Sequence, residues 1–272
     1  MAIDASGRLA AVEAQFLGAA GGAGQIVATP GFRVHLWTTA DVFYRTVAVP
    51  VARPVAWDPA VALMLGVFEA HGRAPSVEYA EERWADLGPA LERAGLAREA
   101  RLTSMACTAG TMARAMPLAG DWSVRRLDGS TAVSTLCAYL AALHAAFEQS
   151  LSRAAATQEA AGLQRALAAG RTRILIAEAA DGSTVAGANL VGIGPAPGIG
   201  GTVAELAGVW TSRAARGHGL ARSVTSALLH DYFAAGGGLV WLATDDARAR
   251  SLYAGLGFRP IGHQLRYSRR HA

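Results

Sequence analysis

Apolar positions along this chain alternate between a period near 3.6 and a period of two, and the switches divide it into helices and strands. Residues 5–17 form an Ala-rich helical stretch that ends in a glycine cluster at 18–24. Extended runs follow at 32–37 and 44–49. Asp58-Pro59 opens the next helix, with Asp as its cap and Pro at its first helical position. Val61, Met64, Leu65 and Phe68 then recur at i, i+3, i+4 and i+7, one face of that helix. After Gly72 come a strand at 76–79, a helix through Leu87, Leu91 and Ala94 stopped by Gly95, and a strand through Leu102, Met105 and Cys107. Residues 108–120 lose periodicity and collect Gly, Thr and Pro, the mark of a linker.

A fuller α/β unit begins at 122–127. Leu136, Tyr139, Leu140, Leu143 and Phe147 mark its first helix, and 163–167 a second. Strands at 174–178 and 184–191 are joined through Asp181-Gly182, a hairpin signal. A Gly/Pro loop at 192–201 leads to the strand 203–210. There follow a helix from Gly219 to Ala235 stopped by Gly236, a strand at 239–243, a helix at 246–256 and closing strands at 258–266. The expected fold is α/β (α+β), in two domains at 1–110 and 121–272.

Composition narrows the class. The chain has 272 residues, 52% of them hydrophobic, enough for a sizeable core and wrong for disorder. Its apolar runs are short and broken by Gly, Arg or Asp, so no membrane span is expected. Asp4 precedes the first Arg, and Glu13 interrupts the first apolar stretch, unlike a secretory signal; the expected location is cytoplasmic. Cys107 and Cys137 fall in no metal or redox spacing and read as small apolar residues; no metal site is expected. The net charge of +4 comes from 25 cations, all Arg, against 21 acids. No Arg run is interleaved with aromatics, so nucleic acid is not the expected partner; a phosphate-rich small ligand or an acidic carrier protein suits the charge.

The informative stretch is Val209-Trp210-Thr211 followed by Arg216-Gly217-His218-Gly219-Leu220-Ala221. A strand ends, small residues turn the chain, and a helix begins. A helix start exposes unpaired N–H groups and the positive end of the helix dipole, which together attract anions. Gly217 and Gly219 let that backbone approach a ligand closely. Gly-X-Gly alone equally describes an ordinary strand-to-helix turn.

The spacing Arg-X-X-Gly-X-Ala from Arg216 to Ala221 resembles the donor loop of the GNAT superfamily of N-acyltransferases. Downstream, Asp246-X-X-Ala249-X-X-Leu252-Tyr253-X-X-X-Gly257-Phe258 is similar to that family's second recurrent pattern, which carries Asn where this chain has Asp246. The resemblance covers 121–272 and implies a mixed central sheet, flanked by helices, whose parallel strands splay to admit the pantetheine of an acyl-CoA such as acetyl-CoA. It implies that the backbone of Val209 and Thr211, about Trp210, pairs with the pantetheine. It further implies that N–H groups of Arg216, Gly217, His218, Gly219, Leu220 and Ala221, with Arg222 beside them, hold the pyrophosphate. Asp246 would touch the pantetheine arm, although a carboxylate removes the amide donor. Tyr253 would protonate the departing thiolate, and His218 would point from the loop into solvent.

A base is also expected, because an alkyl amine with pKa ~10.4 is mostly protonated at pH 7. Glu205, sharing a strand face with Ala207 and Val209 unless a bulge intervenes, is the candidate; Asp245 is the reserve, and Glu178 reads as solvated. The N-terminal half resembles the same fold in degenerate form. Its corresponding turn, Ala52-Arg53-Pro54-Val55-Ala56-Trp57-Asp58, lacks glycine, so that half is expected to bind no donor. The implied reaction is transfer of an acetyl or other short acyl group from acyl-CoA to an amine, expected to be a small molecule. The alternatives are a phosphopantetheinyl carrier protein as acyl source, and a non-catalytic acyl-CoA sensor. The acceptor pocket is expected from 130–170 and 192–201.

Overall fold

The computed structural model describes residues 4–19, 24–37, 46–118 and 120–269. The chain divides into two compact units: residues 1–105, 243–247 and 260–272 form one, and 106–242 with 248–259 the other.

In the first unit the strands run β1 (Gly24–Thr29), β2 (Phe32–Trp37), β3 (Val47–Pro50), β4 (Ser76–Ala80), β11 (Arg259–Arg269) and β5 (Leu96–Cys107) across the sheet. β1, β2 and β3 pair antiparallel, β3 and β4 parallel, and β4 and β11 antiparallel. Helices α1 (Ala5–Ala19), α2 (Trp57–Ala70) and α3 (Leu87–Arg93) accompany them. Val61, Met64 and Phe68 of α2 are buried with Leu87 and Leu91 of α3 against Phe32, Val34 and Val77. The predicted apolar face of α2 therefore points inward, Leu65 lying at its margin.

Three features differ from expectation in this unit. The cap of α2 is Ala56, in extended backbone and without a side-chain hydrogen bond. Asp58 instead stands in the first turn, where its carboxylate accepts from Arg93 at 2.8 Å. β1 has no clear period-two signature in sequence and forms by pairing with β2 along its whole length. The closing segment is one long strand rather than several, and it registers on β4, Leu265 opposite Tyr79. Of the expected run 44–49 the first two residues, and of the glycine cluster 18–24 residues 20–23, lie outside the described residues.

The second unit orders its strands β10 (Gly237–Thr244), β9 (Thr202–Thr211), β8 (Thr184–Pro195), β7 (Arg173–Glu178) and β6 (Ser123–Leu127). β9 and β10 are parallel, and the rest antiparallel. Helices α4 (Val133–Ala146) and α5 (Arg153–Ala168) cover one face, where Leu136, Tyr139 and Leu143 bury Ile174, Ile176 and Trp210. α6 (Leu220–Ala234) covers the other: Arg173, the neighbour of inward-facing Ile174, reaches Asp231 of α6 at 3.2 Å. α7 (Ala247–Gly255) completes the elements. Each half is thus a mixed sheet flanked by helices, and no helix among the described residues is long and apolar enough to cross a membrane.

The stretch expected as a linker is not free. Ser223 Oγ donates to Pro117 O, Met116 N–H donates to Ser226 Oγ, and His230 Nε2 lies 3.1 Å from Ala113 O. These bonds cover the side of α6 that its periodicity leaves polar, which explains why Ser223 and Ser226 are buried as well as Val224 and Leu228. Thr111 also runs so close to Gly257 (φ +101°) that a Cβ there would sit 2.1 Å from Thr111 O. Only glycine fits, a physical reason for the Gly257-Phe258 pair.

Candidate active site

Two parallel strands and the turn after one of them build the site. The β9–β10 ladder runs from Thr202 and Gly237 to Glu205 opposite Trp241, while β9 continues to Thr211. Along those last residues β9 keeps its partner β8, Gly187 standing opposite Trp210 and Ala186 opposite Thr211. One edge of β9 is therefore held and the other ends its ladder at Glu205, a layout that leaves backbone donors and acceptors for an extended ligand.

A bulge lies within that free length. Asn189 opposes Ala207 but Gly187 opposes Trp210, so two steps on β8 face three on β9, and Gly208 has φ +54°. The expected alternation therefore fails: Trp210, not Val209, shares the α4-facing side with Glu205 and Ala207. The Trp210 ring packs 6.3 Å from that of Tyr139, whose hydroxyl donates to Asn189 Oδ1 at 2.5 Å. Burial pushes the Tyr139 phenol up. Glu205 is half-buried on this face.

After Thr211 a 3₁₀ turn (Arg213–Ala215) leads to Gly217 (φ +88°) and to Gly219 (φ +73°), the N-cap of α6. Left-handed backbone at both positions is cheap only for glycine. A Cβ at either would meet nothing within 4 Å, so the turn faces open space. The first intrahelical bond joins Ser223 N–H to Gly219 O, which leaves Leu220, Ala221 and Arg222 N–H without intrahelical acceptors. No acidic side chain stands in the first turn of α6. Dipole and donors together select for an anion.

Arg222 joins this turn to α7: its Nη2 donates to Gly255 O at 3.3 Å, at the end of the helix that carries Tyr253. Tyr253 is half-buried, edge-on to Phe258 with centroids 5.7 Å apart, in a helix with no buried residue. Asp245 and Asp246 are exposed ahead of α7, the Asp246 N–H donating to Thr244 Oγ1. Arg216 is exposed and donates to Thr211 O at 3.4 Å. The His218 ring turns back toward Ala215 O (3.3 Å) and lies 6.1 Å from the Trp122 ring.

Two expectations are corrected. Glu178 is not solvated but accepts from Arg125 in bidentate fashion at 2.7 and 2.9 Å. Residues 192–201 do not approach the Gly217 turn: a Cβ on Gly201 or Gly238 would collide with Gly236 O or Gly200 O, which locks that loop to the beginning of β10. It sits at the opposite end of β9 from Thr211. A cleft of about 520 Å³ does open beside Trp210, between Ala142, Ala145 and Ala146 of α4 with Glu148 beyond them, and Ser212, Arg213 and Arg216 of the turn. Sequence reasoning missed Glu148 and Arg213, because their meeting depends on how α4 lies along the sheet. Cys107 and Cys137 are free thiols outside this site, and burial raises Cys107 to about 11.

Residues 138–258 match the model of the Acetyltransferase (GNAT) family. Comparison with curated proteins gives no match. Among solved structures, a GCN5-related N-acetyltransferase from Kribbella flavida superposes with TM-score 0.76 at 22% identity, over 98% of this chain and 97% of its own. A tandem GNAT protein from the clavulanic acid biosynthesis pathway gives 0.62 at 16% identity, over 90% of this chain and 80% of its own. A GCN5-related N-acetyltransferase from Sphaerobacter thermophilus also gives 0.62, at 15% identity, over 99% of this chain and 93% of its own. At these identities the likeness is one of fold, and it runs through both units. The motif-bearing turn and the end of the β9–β10 ladder both lie within residues 138–258, the stretch that matches the model of the Acetyltransferase (GNAT) family.

Proposed function

We propose that the second unit transfers an acyl group from acyl-CoA to an amine by direct attack. The observation that carries this is the end of the β9–β10 ladder at Glu205 and Trp241, with β9 running on into an open glycine turn at the start of α6. Pantetheine lies along the free edge of β9, hydrogen-bonded to Val209 and Thr211 as a missing strand would be. The pyrophosphate rests on the N–H groups from Gly217 to Arg222.

The amine nitrogen adds to the thioester carbonyl, the C–S bond breaks, and the products are an amide and free CoA thiol. Magnitudes rank the two proton transfers. A thiol of pKa ~8.5 leaves readily, so Tyr253 contributes at most about 10²-fold as general acid. The amine, with pKa ~10.4, is scarce in neutral form at pH 7 by ~3.4 units, or roughly 4.6 kcal/mol. Deprotonating it is the larger task, and Glu205, half-buried where the strands part, is the group assigned to it, directly or through water. The first unit binds no donor.

Titration calorimetry of the full chain with acetyl-CoA tests the donor site. Wild-type binding is expected at one donor per chain, Gly219→Ala keeps it in weakened form, and Gly219→Glu abolishes it by facing a carboxylate to the pyrophosphate. Full binding by Gly219→Glu would remove the cradle. Weak binding of free acetyl-CoA beside a salt-sensitive complex with a phosphopantetheinyl carrier would move the acyl source to the carrier. Binding without thiol release across an amine panel would make the domain a sensor.

A further inference from the structure

The acceptor side of the cleft carries one residue whose conformation its local sequence does not explain. Glu148 has φ +58°, and among the described residues no other non-glycine has positive φ. It occupies the position after the α4 C-cap, where its N–H bonds Ala145 O and the next N–H bonds His144 O. Glycine is favoured at such a position because a Cβ strains left-handed backbone. A strained carboxylate that lines a cleft beside Trp210 and the turn after β9 points to a task for that carboxylate.

The charges around the cleft define the task. Glu148 is exposed and forms no ion pair within 4 Å among the described residues, and the same holds for Arg213 and Arg216. Both arginines flank the turn assigned to the anionic donor, which leaves the carboxylate on the α4 wall facing the acceptor. The wall between is made of alanines, room for an extended carbon chain. In the reading above Glu205 already serves the reacting nitrogen, so a second carboxylate on the α4 wall is not needed there. It can hold a second cation on the same molecule.

We infer that Glu148 is a specificity-determining residue that selects acceptors bearing a second positive charge, that is, diamines and longer polycationic amines. This rests on the acyl-transfer reading above. The test uses the full chain and two probe series, α,ω-diaminoalkanes of three to six methylenes and the alkylamines of equal length. Thiol release with acetyl-CoA and calorimetric binding of each amine are both measured. The best diamine is expected to exceed its monoamine by about ten-fold in kcat/KM and in affinity, the worth of one charge-assisted contact. Glu148→Gln should collapse that ratio through the diamine KM while acetyl-CoA affinity holds. Glu148→Gly should melt at higher temperature than wild type, since it relieves the strain, and still lose the preference. A wild-type ratio near one, or a ratio retained by Glu148→Gly, overturns the inference. Loss of acetyl-CoA binding in the wild type is a separate result that strikes the donor site, because amine binding is read independently of turnover.

Discussion

The chain contains two strand–turn–helix passages of the same plan, β3 to α2 and β9 to α6, and they end in opposite chemistry. Before α2 the turn has no glycine, and its own side chains use it: Arg53 donates to Asp86 at 2.5 Å and the Trp57 indole N–H donates to the same carboxylate at 2.9 Å. The Trp57 bond, ahead of Arg53, holds Asp86 below the usual carboxylate range. Asp58 adds a second acid in the first turn of α2. The positive end of that helix already has its anions. Before α6, two glycines open the backbone, no acid stands in the first turn, and the donors face open space. A helix start is an anion site only where the protein leaves it unneutralised.

That contrast can be broken at its strongest point by moving one charge. A carboxylate in place of Gly219 abolishes acetyl-CoA binding, whereas Ala56→Glu before α2 leaves donor affinity unchanged; calorimetric stoichiometry of two in the wild type would break the comparison outright. Glu205→Gln should lower kcat/KM by about 10²- to 10⁴-fold and remove the acid limb of the pH–rate profile with donor affinity intact. An unaltered profile would free Glu205 from the role of base. Tyr253→Phe should lower kcat by about 10²-fold at most, again with donor affinity intact; an unchanged rate would leave Tyr253 a packing residue.

The last effect belongs to the first unit and concerns stability. His35 is buried with neither ring nitrogen hydrogen-bonded, and burial, aided by Arg33, lowers it to about 4. The unfolded chain binds the proton near pH 6.5 and the folded chain only near 4. The stability due to neutral His35 is therefore present above pH ~6.5 and is lost as pH falls toward 4, by up to about 3 kcal/mol. Urea midpoints between pH 7 and 4.5 measure it, and His35→Leu should flatten the slope. An equal slope in that variant would place the acid sensitivity elsewhere.

Much of this was legible residue by residue. The α2 face through Val61, Met64 and Phe68 follows from period, and the 181–182 hairpin from Asp-Gly; Ala179 N–H donates to Ser183 O to close that turn. The turn around Gly217 and Gly219 was legible too, because glycine and a helix start are local features. Glu178 misled: its partner Arg125 is distant in sequence and reaches it diagonally across the β6–β7 pair only after folding. The apparent linker misled for a similar reason, since its partners on α6 are more than a hundred residues away.

The sequence by itself determined the periods, the glycines and hence where a backbone could receive phosphate. Tertiary structure decided which backbone stays free: the ladder ending at Glu205, the bulge that turns Trp210 rather than Val209 toward α4, and the cleft that brings Glu148 opposite Arg213. Local conformational preference is written in neighbouring residues, but register, neutralisation and exposure are set by partners the chain meets only when it folds.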